Sequence, residues 1–252
     1  MVRGRISCII FFANVLWQDV VGYVVSTDTR YSKWPGNTVP YIIAPGYSEA
    51  EINTIRMAAA QIQADMGNCI RFTDLGAGPI PAATSFVIIS PTGGPGVPSP
   101  TCYSFPGRVL PLSNPPTTYG QHMAIMNGPN GCLSSVRQVM RFFCDLLGLR
   151  SEHNKPGRDL FLQLNTQLIH PAAVQIGAFT EYDPRLIQFN ATDFDYNSIT
   201  MIEPTNYSVR GGLPVISARN GRTIYNAGRL SFRDCQALSA VYNCMIQCPT
   251  FY

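Results

Sequence analysis

Residues able to do chemistry are sparse in this 252-residue chain, and their spacing narrows what that chemistry could be. Zinc-assisted hydrolysis needs about three protein ligands around an open position, with a carboxylate near enough to take a proton from bound water. The chain has three histidines, His122, His153 and His170, and none is followed four residues later by another. No single helical face therefore offers a pair of imidazoles to one metal. Arg141 and Asp145 stand one turn apart, the spacing at which a guanidinium and a carboxylate face each other and pair; the other reading has each pointing separately to water. Glu152 and His153 follow, the histidine expected at the surface. Cys144, next to Asp145, reads as a small buried hydrophobe, with a redox or crosslinking role as its alternative. Other catalytic classes leave no signature: there is no G-x-S-x-G and no Cys/His dyad, and the run Gly93-Gly94-Pro95-Gly96 lacks the helix that a phosphate-cradling loop would need after it.

The elements that must position these groups are read from hydrophobic period and capping. Val136, Val139, Met140, Phe143, Leu146 and Leu147 recur at three and four, one face of a helix that Gly148 stops. Ser48 with Glu51 forms a capping box opening a helix to about Met66, with Ile52, Ile55, Ala59 and Ile62 on one face. Strands are expected over Val39 to Ile43, Cys69 to Phe72, Ser85 to Ser90 and Gly120 to Met126, and Leu238 and Val241 belong to a closing helix. The strand-helix-strand order argues for a mixed sheet with a helix packed on it. A Gly- and Pro-rich loop spans Pro91 to Pro100. A second, from Val109 to Tyr119, is either a specificity loop at the mouth of a cleft or a plain surface insertion.

Composition sets the class. A net charge of +3 without basic runs makes no electrostatic case for nucleic acid, and 21 Gly and 20 Pro with only 13% charged residues imply much irregular chain. Met1 to Arg5 is basic, Ile6 to Trp17 mostly apolar, and Val20-Val21-Gly22 small, which reads as a secretory signal over 1–22, an uncleaved anchor being the alternative. Eight cysteines suit a secreted domain stapled at a few places, Cys8 leaving with the signal. Asn190-Ala-Thr and Asn206-Tyr-Ser are acceptor sequons.

Set in order, several stretches resemble the astacin family of zinc metalloendopeptidases, a metzincin group. Trp34-Pro-Gly-Asn-Thr-Val-Pro-Tyr41 resembles its W-x-x-G-x-I-P-Y opening, Cys69-Ile-Arg-Phe72 its C-I-x-F strand, and Cys102-Tyr-Ser-Phe-Pro-Gly-Arg108 its C-x-S-x-x-G-R. Gly148 to Asp159 resembles the second half of H-E-x-x-H-x-x-G-x-x-H and its E-x-x-R-x-D-R-D continuation, Phe194 to Ile202 the methionine turn Y-D-Y-x-S-I-M-H-Y, and Leu230 to Cys244 the closing L-S-x-x-D and Y-x-C. The catalytic positions do not match. With Gly148 on the signature glycine, Arg141, Asp145 and Ser151 stand at the zinc-ligand positions and Phe142 at the general base. In the turn, Thr200 takes the methionine's place unless a local shift brings Met201 there, and Ile202 that of the tyrosine.

The resemblance implies a two-lobed α+β astacin-like fold: an amino-terminal lobe of mixed sheet with two long helices, and an irregular carboxy-terminal lobe closed by a helix. The expected organisation is a signal over 1–22, a short amino-terminal segment over 23–32, the astacin-like domain over 33–247 and a tail over 248–252. It implies disulfides Cys69–Cys244 and Cys102–Cys132, leaving Cys144, Cys235 and Cys248, of which one is free or bound to another chain. The family's inhibitory pro-segment is not seen ahead of Trp34, so the chain is expected to start near Tyr23 after signal removal and to fold without zymogen processing, its free amine available to reach Glu152; the alternative is a missing first exon. Zinc is the family's cofactor, and with its ligands absent none is expected here; the Arg141–Asp145 pair would replace the ion's charge. The expected function is that of a secreted astacin-like protein without peptidase activity, whose residual cleft takes a polypeptide or secreted protein, with no nucleic acid and no membrane once the signal is removed. Its alternatives are a metallopeptidase with unusual ligands and a structural or decoy protein with no use for the cleft.

Overall fold

A computed structural model of the chain describes residues 24–94, 102–110, 118–128, 131–225 and 228–248. The expected signal over 1–22, Tyr23, the tips of both long loops and residues 249–252 of the tail lie outside the described residues. In chain order the elements are β1 (Val24–Ser26), β2 (Tyr31–Ser32), β3 (Thr38–Ile43), α1 (Glu49–Asp65), β4 (Arg71–Asp74), β5 (Ser85–Ser90), β6 (Arg108–Val109), β7 (Tyr119–Ala124), α2 (Val136–Leu146), β8 (Leu162–Leu164), α3 (Pro171–Gln175), β9 (Ile187–Phe189), β10 (Ile216–Ala218) and α4 (Phe232–Tyr242).

The amino-terminal lobe is built on a four-stranded sheet ordered β4-β3-β5-β7. β3, α1 and β4 make one crossover unit, so β3 and β4 run parallel, with Thr38 opposite Arg71. β5 pairs parallel to β3 and β7 parallel to β5, with one antiparallel bridge, Tyr103–Ala124, at the edge. α1 starts where its capping box forms: Ser48 Oγ accepts from the Glu51 N–H, and Glu51 Oε2 accepts from the Ser48 N–H at 2.7 Å. Its buried face, Ile55, Ala58, Ala59 and Ile62, meets Val139, Met140, Phe143 and Leu146 of α2 in one core with the sheet residues Val39, Tyr41, Val87 and Ile89. Phe143 sits edge-on to Phe72 and Tyr41 at 5.0 and 6.3 Å.

The segment expected as a short lead, 23–32, is part of the fold wherever it is described. β1 pairs antiparallel with β9, Val25 bridges to Leu149, and β2 pairs with β6. Trp34, 1% exposed, donates its indole N–H to the Leu146 carbonyl at 2.9 Å and so ties the entry strand to the end of α2.

A second core gathers Leu162, Ile169, Phe194, Tyr196, Met201, Ile202, Val215 and Ile216 beneath the β8–β10 pair, which gives the carboxy-terminal lobe its own interior. The closing helix does not belong to it. Cys235, Ala237, Leu238 and Tyr242 of α4 pack into the first core, because the chain crosses back after the second lobe. Cys69–Cys244 fastens that return to the start of β4 across 175 residues, Cys102–Cys132 joins the β6 approach to the start of α2, and Cys235–Cys248 clips the tail to α4. Cys144 is free and buried. No helix among the described residues is long and apolar enough to cross a membrane.

Candidate functional site

α2 carries the site on a face that is not committed to the core. Ser135 caps it by accepting from the Gln138 N–H at 3.2 Å, and the residues spaced by four, Arg137, Arg141 and Asp145, form a stripe beside the apolar one. The helix ends at Leu147, and Gly148, with φ of 98°, takes the left-handed conformation that turns the chain back. The returning strand is then held by β1: the Ser26 N–H donates to Gly148 O at 2.8 Å and the Arg150 N–H to Val24 O at 2.7 Å. This hairpin of helix and strand borders a small open pocket of ≈ 50 Å³ lined by Arg141, Phe142, Asp145, Leu149, Ser151 and Thr200. All four positions singled out in the sequence, Arg141, Phe142, Asp145 and Ser151, therefore share one cavity.

The expected Arg141–Asp145 pair is not formed. Asp145 Oδ1 accepts instead from Arg150, whose guanidinium also lies 4.6 Å over the Tyr182 ring, while Arg141 Nη1 donates to Gln138 Oε1 at 3.3 Å. The reason is the turn at Gly148, which brings a cation back over the end of α2 where the helical neighbour cannot compete. Burial raises the proton affinity of Asp145, with Arg150 pulling it back. Arg141 is left short of counter-charge: its Nε is buried without a partner among the described residues, and burial together with the Arg137 guanidinium lowers its hold on its proton. Arg137 itself reaches across to the second lobe, donating from Nη2 to Met201 O at 2.7 Å and pairing with Glu203 Oε1 at 2.6 Å.

Directly after Ser151 a tight turn over Glu152–Asn154 goes inward. Glu152, 2% exposed, pairs at 2.5 Å with Lys155 Nζ, which is 0% exposed, bonds the Asp193 carbonyl and lies 4.7 Å over the Phe194 ring. The chain thus supplies Glu152 with an ammonium of its own three residues on; Tyr23, whose free amine is expected to reach it, lies outside the described residues. Burial nevertheless raises the Glu152 carboxyl to about 7. His153, expected at the surface, is 2% exposed and edge-on to Phe179 at 6.1 Å, and burial holds it neutral, well below the usual imidazole range. His170 caps α3 through Nδ1, which accepts from the Ala172 N–H at 3.1 Å, and His122 lies on β7, so the three imidazoles serve three separate places.

Of the two residues competing for the methionine's place, Thr200 lines the pocket while Met201 is buried in the second core. Thr200 Oγ1 accepts from the Glu152 N–H at 3.2 Å and shares a hydrogen bond with Ser198 Oγ at 2.8 Å. Ser198 in turn donates to Asp234 Oδ1 at 2.7 Å, and Asp234 Oδ2 accepts from the Ile199 N–H at 2.7 Å, so α4 holds the floor of the pocket. Burial, with the Asp195 carboxylate next to it, raises Asp234 to about 7. The sequons lie apart from this: Asn190 is partly exposed in a turn closed by Thr192, and Asn206 is partly exposed next to Tyr207. Arg150, Lys155 and Arg137 were not singled out in the sequence. A Glu–Lys spacing of three was visible for Lys155, but nothing local indicated that both members leave water.

The donor set does not fit a zinc ion. The pocket wall offers one carboxylate, already bound by Arg150, two hydroxyls, a phenyl ring and a guanidinium that has no lone pair to give, against the three nitrogen, sulfur or carboxylate ligands such a site uses. Among the described residues no group of three or more His, Cys, Asp or Glu is placed to hold a metal.

Known proteins resemble the chain along most of its length. Zinc metalloproteinase nas-7 of Caenorhabditis elegans is 25% identical over 214 residues, 85% of this chain and 49% of that protein, and zinc metalloproteinase nas-13 of the same organism is 25% identical over 224 residues, 88% of this chain and 42% of that one. The chain spans about half or less of the length of these relatives. The fold is shared with high choriolytic enzyme 1, a hatching enzyme zinc-protease from the medaka fish Oryzias latipes, at a TM-score of 0.60 and 24% identity, covering 85% of this chain and 94% of that one. A family model described as Astacin, a peptidase family, matches residues 26–243, and the chain belongs to the astacin family.

Proposed function

We propose that this protein is a secreted astacin-fold polypeptide binder without peptidase activity, its cleft kept as a surface rather than as a metal centre. The observation that carries the reading is the pocket wall: Arg141 and Phe142 stand where a ligand and a proton acceptor are needed, and the single carboxylate, Asp145, is engaged by Arg150. A guanidinium repels a dication, and a phenyl ring accepts no proton, so bound water has neither a Lewis acid nor a base to activate it. Secretion is supported by the three disulfides, which persist in oxidising compartments, and by the two sequons. The partner is a polypeptide or another secreted protein. The disulfide-intact protein is expected to carry no zinc after dialysis and to leave unfolded protein substrates uncut. One zinc per chain with zinc-dependent cleavage would establish instead a peptidase with unusual ligands.

A further inference from the structure

We infer that the pocket beside α2 is a carboxylate-binding site in which Arg141 holds a carboxylate of the bound polypeptide; this rests on the reading of the cleft as a polypeptide-binding surface. Of the three arginines along this wall, two have a paired carboxylate. Arg137, Arg141 and Arg150 supply three cations, and Asp145 and Glu203 two carboxylates, each already paired with one of the other arginines. Glu152 is taken by Lys155, and the Asp234 and Asp195 carboxyls beneath the floor are bound by Ser198, the Ile199 N–H and Ser231, so none of these is paired with Arg141. Among the described residues Arg141 is the one of the three without an ion-paired carboxylate.

The guanidinium is also under-used as a donor. Of its five N–H groups, one nitrogen donates to Gln138 Oε1 at a long 3.3 Å and Nε is buried without a partner among the described residues. Its planar fork matches the two oxygens of a carboxylate, which would satisfy donors and charge together. The Ser151 hydroxyl in the same wall can add a third hydrogen bond, while Leu149 and Phe142 give apolar walls for the carbon that bears the group. The cavity of ≈ 50 Å³ is on the scale of a carboxylate group and does not admit a folded segment. The same chemistry is borne by a chain end, by an Asp or Glu side chain, or by a free small acid.

The test uses the disulfide-intact full chain in chloride-free buffer, with four probes followed by calorimetry or NMR: sodium acetate, a short Ala/Gly peptide with a free carboxyl end, the same peptide amidated, and an amidated peptide carrying one Asp. The free-acid peptide is expected to bind about tenfold or more tightly than its amide, with acetate competing, and Arg141→Gln should bring the acid down to the amide's level. Equal binding by the Asp-bearing amide would assign the pocket to side-chain carboxylates, and weak binding would assign it to chain ends. Acetate binding with no peptide binding would keep the site and sink the polypeptide reading. Equal binding of acid and amide, a preference that survives Arg141→Gln, or no binding by any probe overturns the inference. If Arg141→Gln does not fold, the acid-against-amide comparison on the unaltered protein decides.

Discussion

Lys155→Met keeps a side chain of similar length and removes only the charge, so it isolates what the buried ammonium contributes. In the native protein Lys155 and Glu152 are 0% and 2% exposed, and the ammonium also serves the Asp193 carbonyl. The variant leaves Glu152 Oε1 with only the Asp195 N–H at 3.1 Å and strands the carbonyl. Removing one member of a buried pair costs about 3 to 5 kcal/mol, and that is the loss expected at pH 8, where the native pair is charged and the variant must strand a carboxylate or take up a proton. Burial already raises Glu152 to about 7 with the ammonium beside it, and without that ammonium its proton is held more tightly still. At pH 5 the carboxyl is neutral, so the loss should shrink to that of unsatisfied polar groups, about 1 to 3 kcal/mol. Urea unfolding followed by circular dichroism at both pH values, on the native chain, Lys155→Met, Glu152→Gln and the double variant, measures each step. The double variant should recover at least about 1 kcal/mol of the summed single losses. A loss below about 1 kcal/mol, a loss that grows on acidification, or strictly additive singles would refute the reasoning.

Asp145→Ala and Arg150→Ala should each cost about 1 to 2 kcal/mol, between the values for exposed and buried pairs because both side chains are 22% exposed, and a double-mutant cycle should show them coupled while Asp145→Ala with Arg141→Ala comes closer to additive. Phe142→Glu should leave the protein unable to cut casein and lower stability by about 1 to 3 kcal/mol, since it adds a carboxyl without a metal-bound water to serve; cleavage by this variant would overturn the placement of the helix. Asp234 and Glu152 are raised from 3.8 and 4.5 to about 7, so from about pH 4.5 to 7 the folded state holds protons that the unfolded state has released. Their contribution therefore falls as pH rises through that window, by at most about 1.4 kcal/mol per pH unit for each group, and levels off above it; a melting temperature that climbs from pH 5 to 7 would contradict this.

What local spacing encodes was legible, and what the third dimension chooses was not. The capping box at Ser48 and Glu51, the stop at Gly148 and the strand Ser85–Ser90 each depend on a few neighbouring residues, and each forms where the pattern places it. The shared pocket of Arg141, Phe142, Asp145 and Ser151 was legible only through the family's spacing, because Ser151 reaches it across a turn. Partner choice was not legible. At one-turn spacing Asp145 had Arg141 as its obvious neighbour, yet a cation five residues on, carried back over the helix end and stacked on Tyr182, took it. His153 looked like a surface residue beside a glutamate, but the turn over Glu152–Asn154 is pulled inward by the Lys155 ammonium and by Phe179. The closing helix was found in its place along the chain, but the interior its side chains fill was not legible, since an amphipathic face does not say which of two cores it joins.

That last placement bears on how the molecule comes into being. With Cys235, Ala237, Leu238 and Tyr242, together with Ile199 and Leu230, completing an interior otherwise made of residues between Val25 and Leu149, the first-synthesised lobe stays an unfinished hydrophobic surface until the later segments arrive. Contacts of such long sequence separation make for slow folding and for a nascent chain exposed to aggregation while it waits. Termination anywhere before Phe232 should accordingly yield chaperone-bound or degraded product rather than a smaller folded lobe, and oxidation of Cys69 with Cys244 marks the moment at which the first half of the chain has found its missing wall.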